Sequence, residues 1–347
     1  MTRRAVVSAG LSLIVASCAW AQPFRGVWMQ PMGDAASLVA SAKQARLDAV
    51  FLLSFYDGQT IYPSRVFPRH KEFEGQDPLA DYIKEARGQG LQVFAALETL
   101  LWKRPGGSSP AVALHPERVE RNPAGQIVGD WGGDGAFASP TDSQVVSLLE
   151  QLVLELVRHY DLDGLAFDFL RLARGEFLGY STTSRLGFLR QRSIDPLDID
   201  PLGFATGRAD RQKMAEWLEE SVTEVAEKVC SAARRGRPGI KIAIVVEADY
   251  YQDRLQNPAR QDWSKWIEKE PPDLVICQNL PLGEARFQGL LRRAIAQRKP
   301  KVLLAIDRLP SAPWRERAEV AGLDGWVFRA DGSYSLMRSF MRELALW

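Results

Sequence analysis

The chain has 347 residues, 46% of them hydrophobic and 25% charged, with 44 Lys and Arg against 43 Asp and Glu and a formal net charge of +1. That composition supplies ample apolar material for a core. It offers no basic run of the kind that a nucleic-acid or acidic-membrane partner would call for, so neither partner is expected.

At the N-terminus, Arg3 and Arg4 precede an apolar stretch from Ala5 to Ala21, too short for a comfortable membrane span, that closes on Ala19-Trp20-Ala21. A basic start, an apolar stretch and a small-residue A-x-A pattern form a secretory signal peptide over residues 1–21, which implies export to the periplasm or beyond. Inside the same segment, Val15-Ala16-Ser17-Cys18 resembles the lipobox of bacterial lipoproteins. Lipidation would make Cys18 the first residue and a membrane anchor, whereas cleavage after Ala21 would discard it. Both N-termini are compatible with the sequence.

From residue 22 to 347 no linker or low-complexity tract divides the chain, and short apolar runs alternate eight times with helical segments. The strands expected are Gly26–Gln30, Ala49–Phe55, Gln92–Leu97, Gly164–Phe169, Lys241–Val246, Leu274–Gln278, Val302–Ile306 and Gly325–Phe328. Amphipathic stretches such as Val145–Tyr160 and Arg211–Arg234 fall between them. Runs that are apolar throughout, rather than alternating, imply a parallel sheet covered by helices. Eight such units point to a single α/β domain, a (β/α)8 TIM barrel, and a monomer is expected.

Asp48, Asp163, Asp273 and Asp324 each stand just before a strand, on the face where barrel residues serve stability. The loops after strands three and four, Glu98–Asp142 and Leu170–Asp210, run to about 40 residues each, and connections of that length usually build a site or lid.

Glycoside hydrolysis needs two carboxyl groups flanking one bond, one protonated and one ionised. Four carboxylates sit at strand ends: Glu98, Asp168, Glu247 and Asp307. Asp168 ends an apolar strand with Arg171 just beyond, which suits a nucleophile or base held ionised. Glu247, on the neighbouring strand, is the first candidate for the acid and Glu98 the second, while Asp307 could hold sugar hydroxyls or serve as acid. Trp28, Tyr56, Tyr62, Trp102, Trp131, Tyr250 and Trp326 fall at strand ends or in the following loops, where flat rings can stack on sugars. Arg171 and Asn279 are candidate substrate contacts beside them.

Cys230 and Cys277 read as small buried hydrophobes, and Trp263 and Trp266 as core. His70, His115 and His159 lack H-x-H or H-E-x-x-H spacing. No G-x-S-x-G elbow occurs, and the turns after strands seven and eight lack a Gly-rich phosphate grip. No metal or cofactor is expected.

The residues also resemble a known family, the secreted glycosyl-hydrolase-like proteins called family 10-like. The resemblance begins at Arg25-Gly26-Val27-Trp28 and continues through Tyr62-Pro63-Ser64, Asp77-Pro78-Leu79 and His115-Pro116-Glu117 with Asn122-Pro123. Its strongest piece is the run from Tyr160 to Arg171, close to the family's Y-D-x-D-G-I-x-x-D-Y-x-R. It implies a bacterial enzyme acting on envelope glycans, peptidoglycan among them, and it supports Asp168 as a site residue. The third strand reads Ala95-Ala96-Leu97-Glu98-Thr99 where the family has W-x-N-P-Y, and the sixth ends Cys277-Gln278-Asn279-Leu280 where the family has P-x-x-Y. Glu247 rests on barrel geometry alone. The expected function is therefore hydrolysis of an envelope or extracellular polysaccharide. A glycan-binding barrel without catalysis is the alternative, and a uronate lyase ranks third.

Overall fold

The computed structural model describes residues 23–199, 207–248, 259–269, 271–279, 300–306, 323–330, 339 and 341–342. The expected signal segment, Cys18, Tyr250 and Asp307 lie outside these residues.

Eight parallel strands close into a barrel. They are β1 (Phe24–Met29), β2 (Ala49–Tyr56), β3 (Gln92–Glu98), β4 (Gly164–Asp168), β5 (Lys241–Glu247), β6 (Leu274–Gln278), β7 (Lys301–Ile306) and β8 (Gly325–Ala330). Each pairs with its sequence neighbours, and β8 pairs with β1 to close the ring. All eight expected strands are present, with ends shifted by at most two residues.

Helices wrap the outside. Asp34 and Asp77 cap helices Ala35–Gln44 and Pro78–Gln89 by accepting from Ser37 and Ala80 backbone N–H groups, and Asp142 caps Ser143–His159 through Gln144. Gly90, at φ 67°, ends the second of these in the left-handed conformation that glycine adopts without a Cβ clash. The longest helix, Gly207–Gly236, extends the expected 211–234 stretch at both ends. Trp263 and Trp266 are buried in Trp263–Lys269, and Cys230 and Cys277 are buried thiols.

The barrel interior is filled by side chains of alternate residues. Phe51 of β2 stacks on Phe94 of β3 with centroids 4.6 Å apart. A Cβ on Gly26 would come within 2.6 Å of Phe51, and one on Gly164 within 2.3 Å of Phe94. These two glycines make room for the rings that plug the lower barrel.

The four aspartates preceding strands share one arrangement. Asp48, Asp163, Asp273 and Asp324 accept from the backbone N–H of Arg25, Val93, Ile242 and Val302 at 2.8–2.9 Å. Their own N–H groups donate to the carbonyls of the same four residues at 2.8–3.0 Å. Each aspartate at the foot of an even strand thus fastens the odd strand before it. At the opposite end, the residues following β2, β4 and β6 are Asp57, Phe169 and Asn279, and all three have positive φ, between 49° and 51°. These three strands therefore turn sharply at the C-terminal mouth, where the site lies.

Candidate active site

Strand register decides which side chains meet at the mouth. Glu98 and Asp168 are direct partners across β3 and β4, and Glu247 and Gln278 across β5 and β6. All three carboxylates are buried, so their partners determine what each can do.

Asp168 accepts from the backbone N–H of Phe169 at 2.7 Å and from Gln278 Nε2 at 3.4 Å, both through Oδ1. Its Oδ2 lies 3.1 Å from Arg329 Nη1, an ion pair without hydrogen-bond alignment. Arg329 comes from β8, and its guanidinium rests 5.1 Å from the Trp28 ring centre. The cation paired directly with Asp168 is therefore Arg329, while the expected Arg171 acts on it at longer range from its own pairs with Asp130 and Glu247. The left-handed Phe169 turns the chain away directly after Asp168.

Glu98 is gripped side-on by Arg104, whose Nε and Nη2 donate to Oε2 and Oε1 at 2.8 and 2.7 Å. Burial pushes its carboxyl up to about 7, against the opposing pull of Arg104 and with help from the neighbouring Asp168 and Asp57. Arg104 is itself fixed: its backbone N–H donates to Asp57 Oδ1 at 2.6 Å, and its guanidinium lies 4.7 Å from the Tyr56 ring centre. Tyr56 stacks on His70 at 4.0 Å and donates its hydroxyl to Glu72.

Glu247 has more partners. Arg171 Nε lies 3.0 Å from Oε1, while Arg174 Nη1 and Asn279 Nδ2 reach Oε2 at 3.3 and 2.6 Å. Its backbone N–H donates to Gln261 Oε1, and Gln261 Nε2 donates in turn to the carbonyls of Leu170 and Val245. Arg171 also donates from Nη1 and Nη2 to the two oxygens of Asp130, each at 2.8 Å.

The two long loops are joined by a residue the sequence did not single out. Glu120, buried in the loop after β3, accepts from the hydroxyls of Ser139, Ser181 and Ser184 and from the backbone N–H groups of Gly179 and Ser181. Gly179 to Ser184 belong to the loop after β4, so one carboxylate holds both walls of the mouth together.

Several expected sugar contacts are placed elsewhere. Tyr62 is fully buried, edge-on to Tyr160. Trp102 is 1% exposed, packed edge-on to Phe67 with its indole N–H on the Thr99 carbonyl. Neither offers a face to a ligand. Trp28 is buried against Phe51 and Arg329, and Tyr56 is sandwiched by His70 and Arg104. Trp326 alternates with inward-facing Val327, so it points to the helix side, where it meets Phe328 and Arg25. Arg171 and Asn279 do reach the mouth, committed to Glu247.

Arg104, Arg329, Asp130 and Gln278 are the site residues missed. Only Arg104, six residues beyond Glu98, and Arg329, at the end of an apolar strand, carried a sequence signal. A groove lined by Met32, Asp34, Glu72, Phe73, Asp81 and Glu85 lies on the rim between the loops after β1 and β2, and none of the three carboxylates lines it. Among the described residues no group of three or more His, Cys, Asp or Glu could hold a metal ion, and no helix is long and apolar enough to cross a membrane.

The sequence profile described as Glycosyl hydrolase-like 10 matches residues 23–304. A protein named Glycosyl hydrolase DigH from Escherichia coli K12 is 23% identical over 311 residues, covering 74% of this chain. The chain spans 65% of that relative's length, just under two thirds. Among solved structures, the PgaB (BpsB) glycoside hydrolase domain from Bordetella bronchiseptica superposes with a TM-score of 0.65 at 14% identity, over 93% of this chain and 98% of that one. A β-galactosidase from the psychrophilic Marinomonas ef1 gives 0.62 at 12% identity, over 93% and 59%. These likenesses are in fold.

Proposed function

Because the chain belongs to the glycosyl hydrolase-like 10 family, we propose that it hydrolyses O-glycosidic bonds in a bacterial envelope or extracellular polysaccharide, peptidoglycan glycan among the substrates. The observation that carries this reading is the register pair of Glu98 and Asp168, two buried carboxyls side by side at the barrel mouth in unlike surroundings. Neighbouring titratable groups whose environments differ in this way divide acid and base roles between them.

Glu98, raised to about 7, is the general acid and gives its proton to the departing sugar oxygen. Asp168, facing Arg329, is the carboxylate that attacks the anomeric carbon or activates a water to do so. Glu247, first in line for the acid on sequence, meets two guanidiniums and an amide, and we assign it the positioning of the loop after β4. The basic start and A-x-A pattern of residues 1–21 support export, and Cys18 would add a lipid anchor if the lipobox is used.

A second reading, a barrel that binds glycans without cutting them, draws on the bidentate hold of Arg104 on Glu98, which an acid must escape. One experiment separates the two. Reducing-sugar release is measured on bacterial wall glycans and exopolysaccharides for the wild type, Asp168→Asn and Glu98→Gln. Release by the wild type alone, with both variants folded, supports the glycosidase. Binding without release supports the second reading, and release by Asp168→Asn at the wild-type rate removes the assigned site.

A further inference from the structure

Trp131, in the long loop after β3, stands 73% exposed on the rim of the barrel, yet nothing about its position is casual. Its backbone is left-handed, φ 58° and ψ 31°, a conformation disfavoured for a bulky residue. Its N–H donates to the Arg174 carbonyl at 2.6 Å. The preceding Asp130 is pinned by both Nη atoms of Arg171 and by the Arg174 backbone N–H. The indole lies against Gly175, where an added Cβ would fall 2.2 Å from Cε3, so no side chain fits beneath the ring. The Arg174 guanidinium is centred 5.7 Å from the ring, and its Nη1 is 3.3 Å from Glu247 Oε2. One guanidinium therefore separates the exposed ring from a carboxylate of the mouth.

A strained backbone, a glycine bed and a cation all hold a flat apolar face toward solvent. An interior-seeking residue fixed outward in this way marks a contact surface. We propose that Trp131 is a stacking platform for a pyranose unit of a multi-sugar glycan, one that lies on the rim beyond the cleavage point. The apolar face of the sugar covers the indole, and the Arg174 edge meets its hydroxyls. This inference rests on the glycan-processing reading above.

The test uses the Asp168→Asn protein, so that probes are not consumed, carrying Trp131 or its replacement by Phe, Leu or Ala. Binding of chitobiose, chitohexaose and solubilised peptidoglycan strands is measured by calorimetry. The expected result is a loss of about tenfold for the long probes with Ala and Leu, near-parental binding with Phe, and no change for chitobiose. Leu fills the Gly175 bed without a flat face, so its loss is not a packing effect. Parental binding of the long probes by the Leu variant overturns the platform, as does an equal loss on chitobiose, or no binding of any probe by the parent. Wild-type cleavage of the same glycans is read separately. A Trp131 effect without cleavage removes the glycosidase and keeps the platform, and cleavage without a Trp131 effect does the reverse.

Discussion

Arg329 Nη1 stands 3.1 Å from Asp168 Oδ2, so the last strand of the barrel reaches across its mouth to the fourth, the strand farthest from it around the ring. Asp168 is buried and the Arg329 side chain is 14% exposed, its guanidinium lying over the Trp28 ring. Removing one member of such a pair leaves a buried charge without compensation. Arg329→Met should lower unfolding free energy by about 3 kcal/mol, and Arg329→Met with Asp168→Asn should recover most of it. Urea melts of the single and double variants check this, and additive losses would show that the two groups are not coupled.

The Glu98 carboxyl is raised to about 7, so it carries its proton below that pH and loses it above. As general acid it must be protonated, and kcat should fall as pH rises through about 7. Arg104 pulls the value down, so replacing its cation lets it rise. Arg104→Met should move the alkaline limb of the kcat profile to higher pH; a limb that stays put or moves lower argues against Glu98 as the acid.

Glu247 offers the complementary check. Glu247→Gln keeps the acceptor to Asn279 but removes the charge shared by Arg171 and Arg174. The expected outcome is a lower melting temperature and a kcat reduced at all pH values, with the alkaline limb unmoved. Disappearance of that limb in Glu247→Gln would transfer the acid role to Glu247.

The latch at Glu120 predicts local rather than global opening. Glu120→Ala removes the acceptor for three serine hydroxyls and two backbone N–H groups and leaves the two long loops joined by the Asp130 contacts to Arg171 and Arg174. Limited proteolysis should cut within residues 98–142 or 170–199 at denaturant levels where the wild type is intact. Equal resistance in both proteins would show that the loops hold without it.

The sequence exposed the framework better than the site because the framework is local. Each strand is a continuous apolar run, and each strand-leading aspartate sits next to the strand it marks, so both can be read from neighbouring residues. The carboxylates at strand ends were legible for the same reason. Which cation each one meets was not, since Arg329 meets Asp168 only when the barrel closes. Trp326 was misplaced because both faces of β8 are buried, which erases the alternation that would reveal its side. Trp102 was misplaced because the chain after β3 folds back as Leu101–Lys103 on Ala136–Phe137, turning a loop aromatic into core.

The strand-leading aspartates also sort the strands of the barrel. Asp48, Asp163, Asp273 and Asp324 tie β1 to β2, β3 to β4, β5 to β6 and β7 to β8, but no equivalent carboxylate ties one such couple to the next among the described residues. Between couples the same aspartates offer only their backbone carbonyls, which accept from the N–H groups of Gln92, Lys241, Lys301 and Phe24, so the side-chain fastenings group the strands into four cassettes. A circularly permuted chain opened at Gly90, in the turn before β3, keeps all four cassettes whole. One opened at Gly125, between β3 and β4, divides a cassette between its two ends and asks the closing barrel to rejoin it.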